Sequence, residues 1–213
     1  MIIYILVFQG TKDILEEAQH IKDGVSRVLV ELLKREWPQL WDNLFTYFTV
    51  FCQNGETQTE LILQTLSRLT EDVVRFQNLP HSRRRELLES LTSAMGSIFP
   101  FFLYTLNKNL KAYQSQSGKT SEKACKICQV VLETLTAFVD WVNITYITES
   151  NLLPLLCSLL LDKNLCLQAS ECLLLIVGRK GTPSERMPLL FTEETMTVLL
   201  EAANNATDNI TES

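Results

Sequence analysis

Residues 55–80, GETQTELILQTLSRLTEDVVRFQNLP, place five large apolar side chains at alternating steps of four and three: Ile62, Leu66, Leu69, Val73 and Phe76. That spacing follows the turn of an α-helix and not the two-residue alternation of a strand. Gln53-Asn54-Gly55 reads as the turn before it, and Thr57 with Glu60 three residues later reads as a capping box. Leu79-Pro80 closes the helix, because proline has no backbone donor to continue it. A helix with one apolar stripe must be covered by neighbours, and the same pattern recurs along the chain on both sides.

Upstream, Ile14, Ile21, Val25, Val28 and Leu32 predict a helix over about 11–34, with acidic Glu16 and Glu17 early and basic Lys34 and Arg35 late, as the helix dipole favours. Pro38 suits the first turn of a short aromatic helix to Cys52, striped by Trp41, Phe45, Phe48 and Phe51. Downstream, Leu88, Leu91, Met95, Ile98 and Phe102 predict a long helix over 82–113, which Pro100 should bend or break. A polar linker spans 114–121. Cys128, Val131, Leu135, Phe138 and Val142 mark the next helix, and Thr148 reads as the cap of another reaching Leu161. Residues 165–177 are apolar nearly all round, which predicts a helix sandwiched between neighbours. Thr182, Pro183 and Glu185 suggest a short turn, and Thr192 with Glu193 and Glu194 caps a last helix.

The composition agrees with long helices. Of 213 residues only 7 are Gly and 6 are Pro, too few for a turn-rich β fold or a low-complexity chain. The hydrophobic share of 46% is enough for a substantial core. A net charge of −6 gives no general basic coat for nucleic acid or anionic membrane, so such contacts would be local. The apolar start at residues 1–8 is far shorter than the roughly 20 residues a membrane span needs, and it lacks a basic flank and a small-residue cleavage site. Only two histidines, His20 and His81, are present. Both lie in polar surroundings, which argues against hydrolase and zinc chemistry.

Cysteines 52, 125, 128, 157, 166 and 172 are spread through helix-like stretches. Cys125 and Cys128 form one C-x-x-C without the second pair a zinc site needs, so all six read as reduced thiols in a reducing compartment. The sequons at Asn143, Asn205 and Asn209 would then go unglycosylated. Ser117-Gly118-Lys119-Thr120 resembles the end of a phosphate loop, but Tyr113 stands where that loop needs glycine. The acidic pairs Glu71-Asp72 and Glu193-Glu194 are helix-surface charges. No metal, cofactor or catalytic residue is expected.

Three basic clusters remain: Arg83-Arg84-Arg85 at a helix start, Lys119, Lys123 and Lys126 around the linker, and Arg179-Lys180 at a helix end. The last pair suits a helix C-terminus. The arginine triplet opposes the dipole at its helix start, which makes it, with Lys119 and Lys123, a candidate surface for RNA or an acidic partner.

Paired, the predicted helices start near 38 and 56, 82 and 121, then 149 and 165. A unit of about 40 residues matches helical-hairpin repeats of the HEAT type, so the expected fold is an all-α solenoid of about four hairpins, read as part of a longer array.

Residues 33–41 read LKREWPQLW. This resembles the K-x-E-W-P-x-x-W segment of nuclear export receptors of the exportin-1-like class, in the importin-β superfamily, with Lys34, Glu36, Trp37, Pro38 and Trp41 at the motif positions. Pro38 would make the hairpin corner, with both tryptophans packed around it. Further stretches resemble the same class: ILEEAQHIKDGVSRVLVELLKREWPQLW, GETQTEL, RLTEDVVRFQNLP and ECLLLIVGRKG. The likeness runs from residue 10 to about 203, leaving residues 1–9 an unmatched apolar extension and 204–213 a polar, fraying tail. Asp42 replaces the proline that usually follows the second tryptophan.

The resemblance implies a cargo receptor, not an enzyme, shuttling between nucleus and cytoplasm. Its partners would be the small GTPase Ran in its GTP form and nuclear pore proteins. In the branch it resembles most, the cargo is double-stranded RNA, chiefly precursor microRNA. A cytosolic HEAT scaffold for protein partners, without Ran or RNA, is the alternative that periodicity alone leaves open.

Overall fold

The computed structural model describes residues 13–41, 43–76, 79–180, 196–197 and 199–204; the apolar start, Asp42, residues 77–78, the stretch 181–195 with the expected turn and last helix cap, residue 198 and the tail from 205 lie outside the described residues. Every regular element among the described residues is helical. The chain divides into two compact units, residues 1–137 and 138–213.

In the first unit the order is α1 (Gln19–Glu36), α2 (Leu44–Cys52), α3 (Glu56–Thr70), a π-helical turn (Glu71–Phe76), α4 (His81–Ser115) and α5 (Lys119–Thr136). Helices α1, α3 and α5 pack side by side as one layer, while α2 lies on α3 and α4 lies on α5. Hairpins α2–α3 and α4–α5 thus stack as the sequence grouping anticipates. The stripe Ile62, Leu66, Leu69 and Val73 is buried, as are Leu91, Met95, Ile98 and Phe102 of α4. Residues 81–115 include a stretch long and apolar enough to cross a membrane by length and composition, and about a third of that stretch is buried inside the protein.

Helix α1 differs from its expected orientation. It starts at Gln19, not near 11, and its buried face is Lys22, Ser26, Leu29, Val30 and Leu33. The expected stripe faces outward at Ile21 and Val28, which are 39% and 48% exposed. The helix is turned by roughly one residue, about 100°. The cause lies in its neighbour: Lys22 finds Glu60 of α3 at 2.9 Å, and that pair draws the polar face inward. The same bond removes Glu60 from the expected capping box. The N-cap of α3 is Gly55, at φ 144°, a conformation that favours glycine.

Three other expectations are corrected. Helix α2 opens at Leu44 after a turn at residues 37–40, not at Pro38. Helix α4 runs unbroken from His81 to Ser115 through Pro100. Pro100 is exposed, and the carbonyl it leaves without a helical donor belongs to Gly96, which is exposed as well. The linker shrinks to residues 116–118, with Gly118 at φ 65° making the turn.

The second unit contains α6 (Thr145–Thr148), α7 (Leu152–Leu159) and α8 (Cys166–Val177), with α7 packed on α8. Thr148 ends α6 instead of capping the next helix, and Asn151 stands at the start of α7. Phe138 and Val142 are buried as expected, although they follow the end of α5 in a series of turns. Helix α8 buries Ala169, Cys172, Leu173 and Ile176 but leaves Leu174 71% exposed, so it is covered on one side only.

Candidate functional site

The corner between α1 and α2 is built from the outside in. Trp37 is 3% exposed and meets the edge of Phe45 at 5.8 Å and 87°, and Phe45 meets Phe48 in the same way at 6.0 Å. Edge-to-face aromatic pairs of this kind add to the area they bury. The Trp37–Pro38 peptide is cis, and Leu40 N–H donates to the Glu36 carbonyl at 2.9 Å. Trp41 is only half-buried. Lys34 reaches Glu31 at 2.6 Å and Asp72 of the π-turn at 2.8 Å. Burial works against its ammonium, but the two carboxylates outweigh it and raise its pKa above the usual 10.5.

The arginine triplet does not act as one patch. Arg83 donates to the Lys34 carbonyl at 2.8 Å, to the Trp37 carbonyl, to Gln39 at 3.0 Å and to Glu86. Arg84 donates to the Val73 and Val74 carbonyls at 2.6 and 3.2 Å. Helix ends leave carbonyls without internal donors and carry partial negative charge. Arg83 therefore caps the end of α1, and Arg84 caps the π-turn. Two arginines at one helix start look repulsive along the sequence, but the ends of two earlier elements converge on them. Only Arg85, paired with Glu89 at 2.8 Å and 73% exposed, points outward.

Lys119 is exposed and meets Glu16 at 3.4 Å, whereas Lys123 is held by Asp13 at 2.5 Å. That Lys123 hydrogen bond keeps the Asp13 carboxyl below its ordinary pKa. In the second unit, Arg179 donates to the Val139 and Val142 carbonyls, the same device as Arg83. It meets free carbonyls as the sequence suggests, but those of another turn and not of its own helix. The capping by Arg83 and Arg84 is not legible in the sequence, whose one signal is cations where the local dipole disfavours them.

A prediction follows for the triplet. Arg83→Ala should lower stability by about 2–3 kcal/mol, since two carbonyls at a packed corner lose a charged donor. Arg85→Ala should cost far less, because its pair with Glu89 is exposed and screened by solvent. Urea denaturation of both variants checks this, and equal losses would contradict the division.

Among the described residues, no group of three or more His, Cys, Asp or Glu side chains could hold a metal ion. The described cysteines are free thiols, and burial pushes Cys52 and Cys172 up to about 12, which keeps both protonated and unreactive. What this region offers is packed repeats with charged surfaces, the parts of a binding protein.

Residues 18–173 match the exportin 1-like protein family, and the chain belongs to that family, whose members are helical-repeat transport receptors and not enzymes. Among individual proteins it is similar to exportin-5 of Homo sapiens, 45% identical over 210 residues that cover 94% of this chain and 17% of that protein. Exportin-5 of Mus musculus is 42% identical over the same shares, and exportin-5 of Dictyostelium discoideum is 32% identical over 83% of the chain and 16% of the relative. The chain thus spans about a sixth of the length of the curated relatives it matches.

Proposed function

We propose that the chain is a stretch of an exportin-5-type nuclear export receptor. In this reading it acts with Ran in its GTP form to carry double-stranded RNA, precursor microRNA above all, from nucleus to cytoplasm past the nuclear pore proteins. The observation that carries the reading is the 45% identity to human exportin-5 over 94% of the chain. Ran and cargo would each favour the same arrangement of the repeats, so each tightens the binding of the other. RNA would be held through its backbone and shape. Of the candidate cations, Arg85 and Lys119 are accessible enough to meet phosphate or an acidic partner, with Arg83, Arg84 and Lys123 holding the surface behind them.

A pull-down with Ran loaded with GTP or GDP, using the complete receptor and this chain in parallel, tests the reading. The receptor should retain only the GTP form, and equal retention of both would favour a plain scaffold. For RNA, Arg85→Ser with Lys119→Ser in the complete receptor should flatten the slope of log affinity against log salt by roughly 0.7–0.9 per lost phosphate contact. The loss should be alike for unrelated hairpins, because backbone contacts carry no sequence information. An unchanged slope removes these residues from the RNA surface.

A further inference from the structure

Helix α1 carries an apolar stripe, Ile21, Val25, Val28 and Leu32, that the core of the first unit leaves unused. Ile21 and Val28 are exposed, and Val25 and Leu32 are only half-buried. The core takes Lys22, Ser26, Leu29, Val30 and Leu33 instead, roughly a third of a turn round the helix. Steps of four, three and four are those of a coiled-coil seam, and this one runs about 16 Å along the axis. Helix α1 is also the edge helix of the layer, packed on α3 and not on α5.

One turn before Val28, the edge of the stripe holds Gly24, which is exposed. Its backbone is helical, and nothing in this chain lies within 4 Å of the Cβ another residue would add. Glycine weakens a helix interior relative to alanine, and here the chain itself gains nothing from it; the use left is close approach by a second backbone. The helix is also polar end to end, with Glu16 and Glu17 before it and Lys34 and Arg35 closing it. Glu16 meets Lys119 at 3.4 Å, and Lys34 is taken by Glu31 and Asp72. Arg35 is exposed and makes no ion pair with a described residue. Arg27 falls about 130° from the stripe and does not face it.

We propose that α1 is the seam of an antiparallel pair formed with a second copy of this chain. Reversing one copy sets Ile21 opposite Leu32 and Val25 opposite Val28 of the other. Val28 then falls beside Gly24, where the missing side chain leaves room for it. The same register brings Arg35 of each copy level with Glu17 of the other. A parallel pair would set acid against acid and base against base, and it would align the two helix dipoles, so charge complementarity selects the antiparallel one. One pair of helices makes a small interface, so the dissociation constant should be micromolar. This contact goes beyond the export reading and needs neither Ran nor RNA.

The test is sedimentation velocity on the whole chain from about 1 to about 200 μM, where a monomer should give way to a dimer. Val28→Glu and Gly24→Gln should each weaken the dimer by about tenfold or more. Both changes face open solvent in the single chain, so thermal unfolding of the dilute protein should not fall. Arg35→Glu should weaken the dimer about threefold, and adding Glu17→Arg should restore the parent value. A chain that stays monomeric throughout, a dimer indifferent to Val28→Glu, or a double variant no better than Arg35→Glu alone overturns the proposal. A complete receptor that stays monomeric while this chain pairs through α1 assigns the face to a neighbouring repeat and overturns it too.

Discussion

Lys22→Met should destabilise the first unit by about 3–5 kcal/mol, because it strands the Glu60 carboxylate inside the protein. The two side chains are 4% and 2% exposed, and the Lys22 ammonium also donates to the Ile14 carbonyl at 2.5 Å. The loss is large beside the 5–15 kcal/mol that holds a typical domain together. Replacing both partners, Lys22→Met with Glu60→Leu, should restore much of the stability, since an apolar pair avoids the desolvation cost. Urea denaturation of the single and double variants measures this directly. Glu60→Gln, which keeps the shape, covers the case in which Lys22→Met does not fold.

The pH dependence of Lys22→Met has a definite sign. Burial already raises the Glu60 pKa above its ordinary 4.5, and Lys22 is the main influence holding it down. Without Lys22 the folded value rises further above the unfolded one. A carboxyl raised in the folded state is a greater burden at higher pH, so its cost grows as pH rises from the unfolded pKa through the folded one. The gap between Lys22→Met and the parent should therefore narrow from pH 7 to pH 5. A gap that widens on acidification, or a single-variant loss under about 1 kcal/mol, would show that the pair does not orient α1.

Trp37→Ala should cost about 3–5 kcal/mol, the range for removing a large buried aromatic side chain. The indole is 3% exposed and its partner Phe45 stands edge-on at 5.8 Å, so a cavity opens at the corner that turns the chain from α1 into α2. Trp41→Ala should cost distinctly less, about 1–2 kcal/mol, because that ring is only half-buried. The comparison separates two tryptophans that look equivalent in the motif. Similar losses at both positions would mean the corner packs differently.

The periodic stretches determine the helices by themselves. Where apolar residues alone form the stripe, as at Ile62, Leu66, Leu69 and Val73, the buried face is also legible, because local sequence and burial agree. The corner at residues 33–41 is legible for a related reason, since a tryptophan beside a proline leaves few ways to pack. The motif therefore pointed to the family before the arrangement of helices was known.

The tertiary structure decided matters that depend on groups far apart in the chain. Lys22 turns α1 inward only because Glu60 waits 38 residues away, and no periodicity within α1 contains that information. Arg83 and Arg84 leave the surface because the ends of α1 and of the π-turn arrive beside them, 49 and 11 residues back along the chain. Pro100 is tolerated because it falls on the solvent side of α4. Apolar burial is additive and written residue by residue in the sequence, whereas the place of a charge depends on a partner that only folding brings within bonding distance.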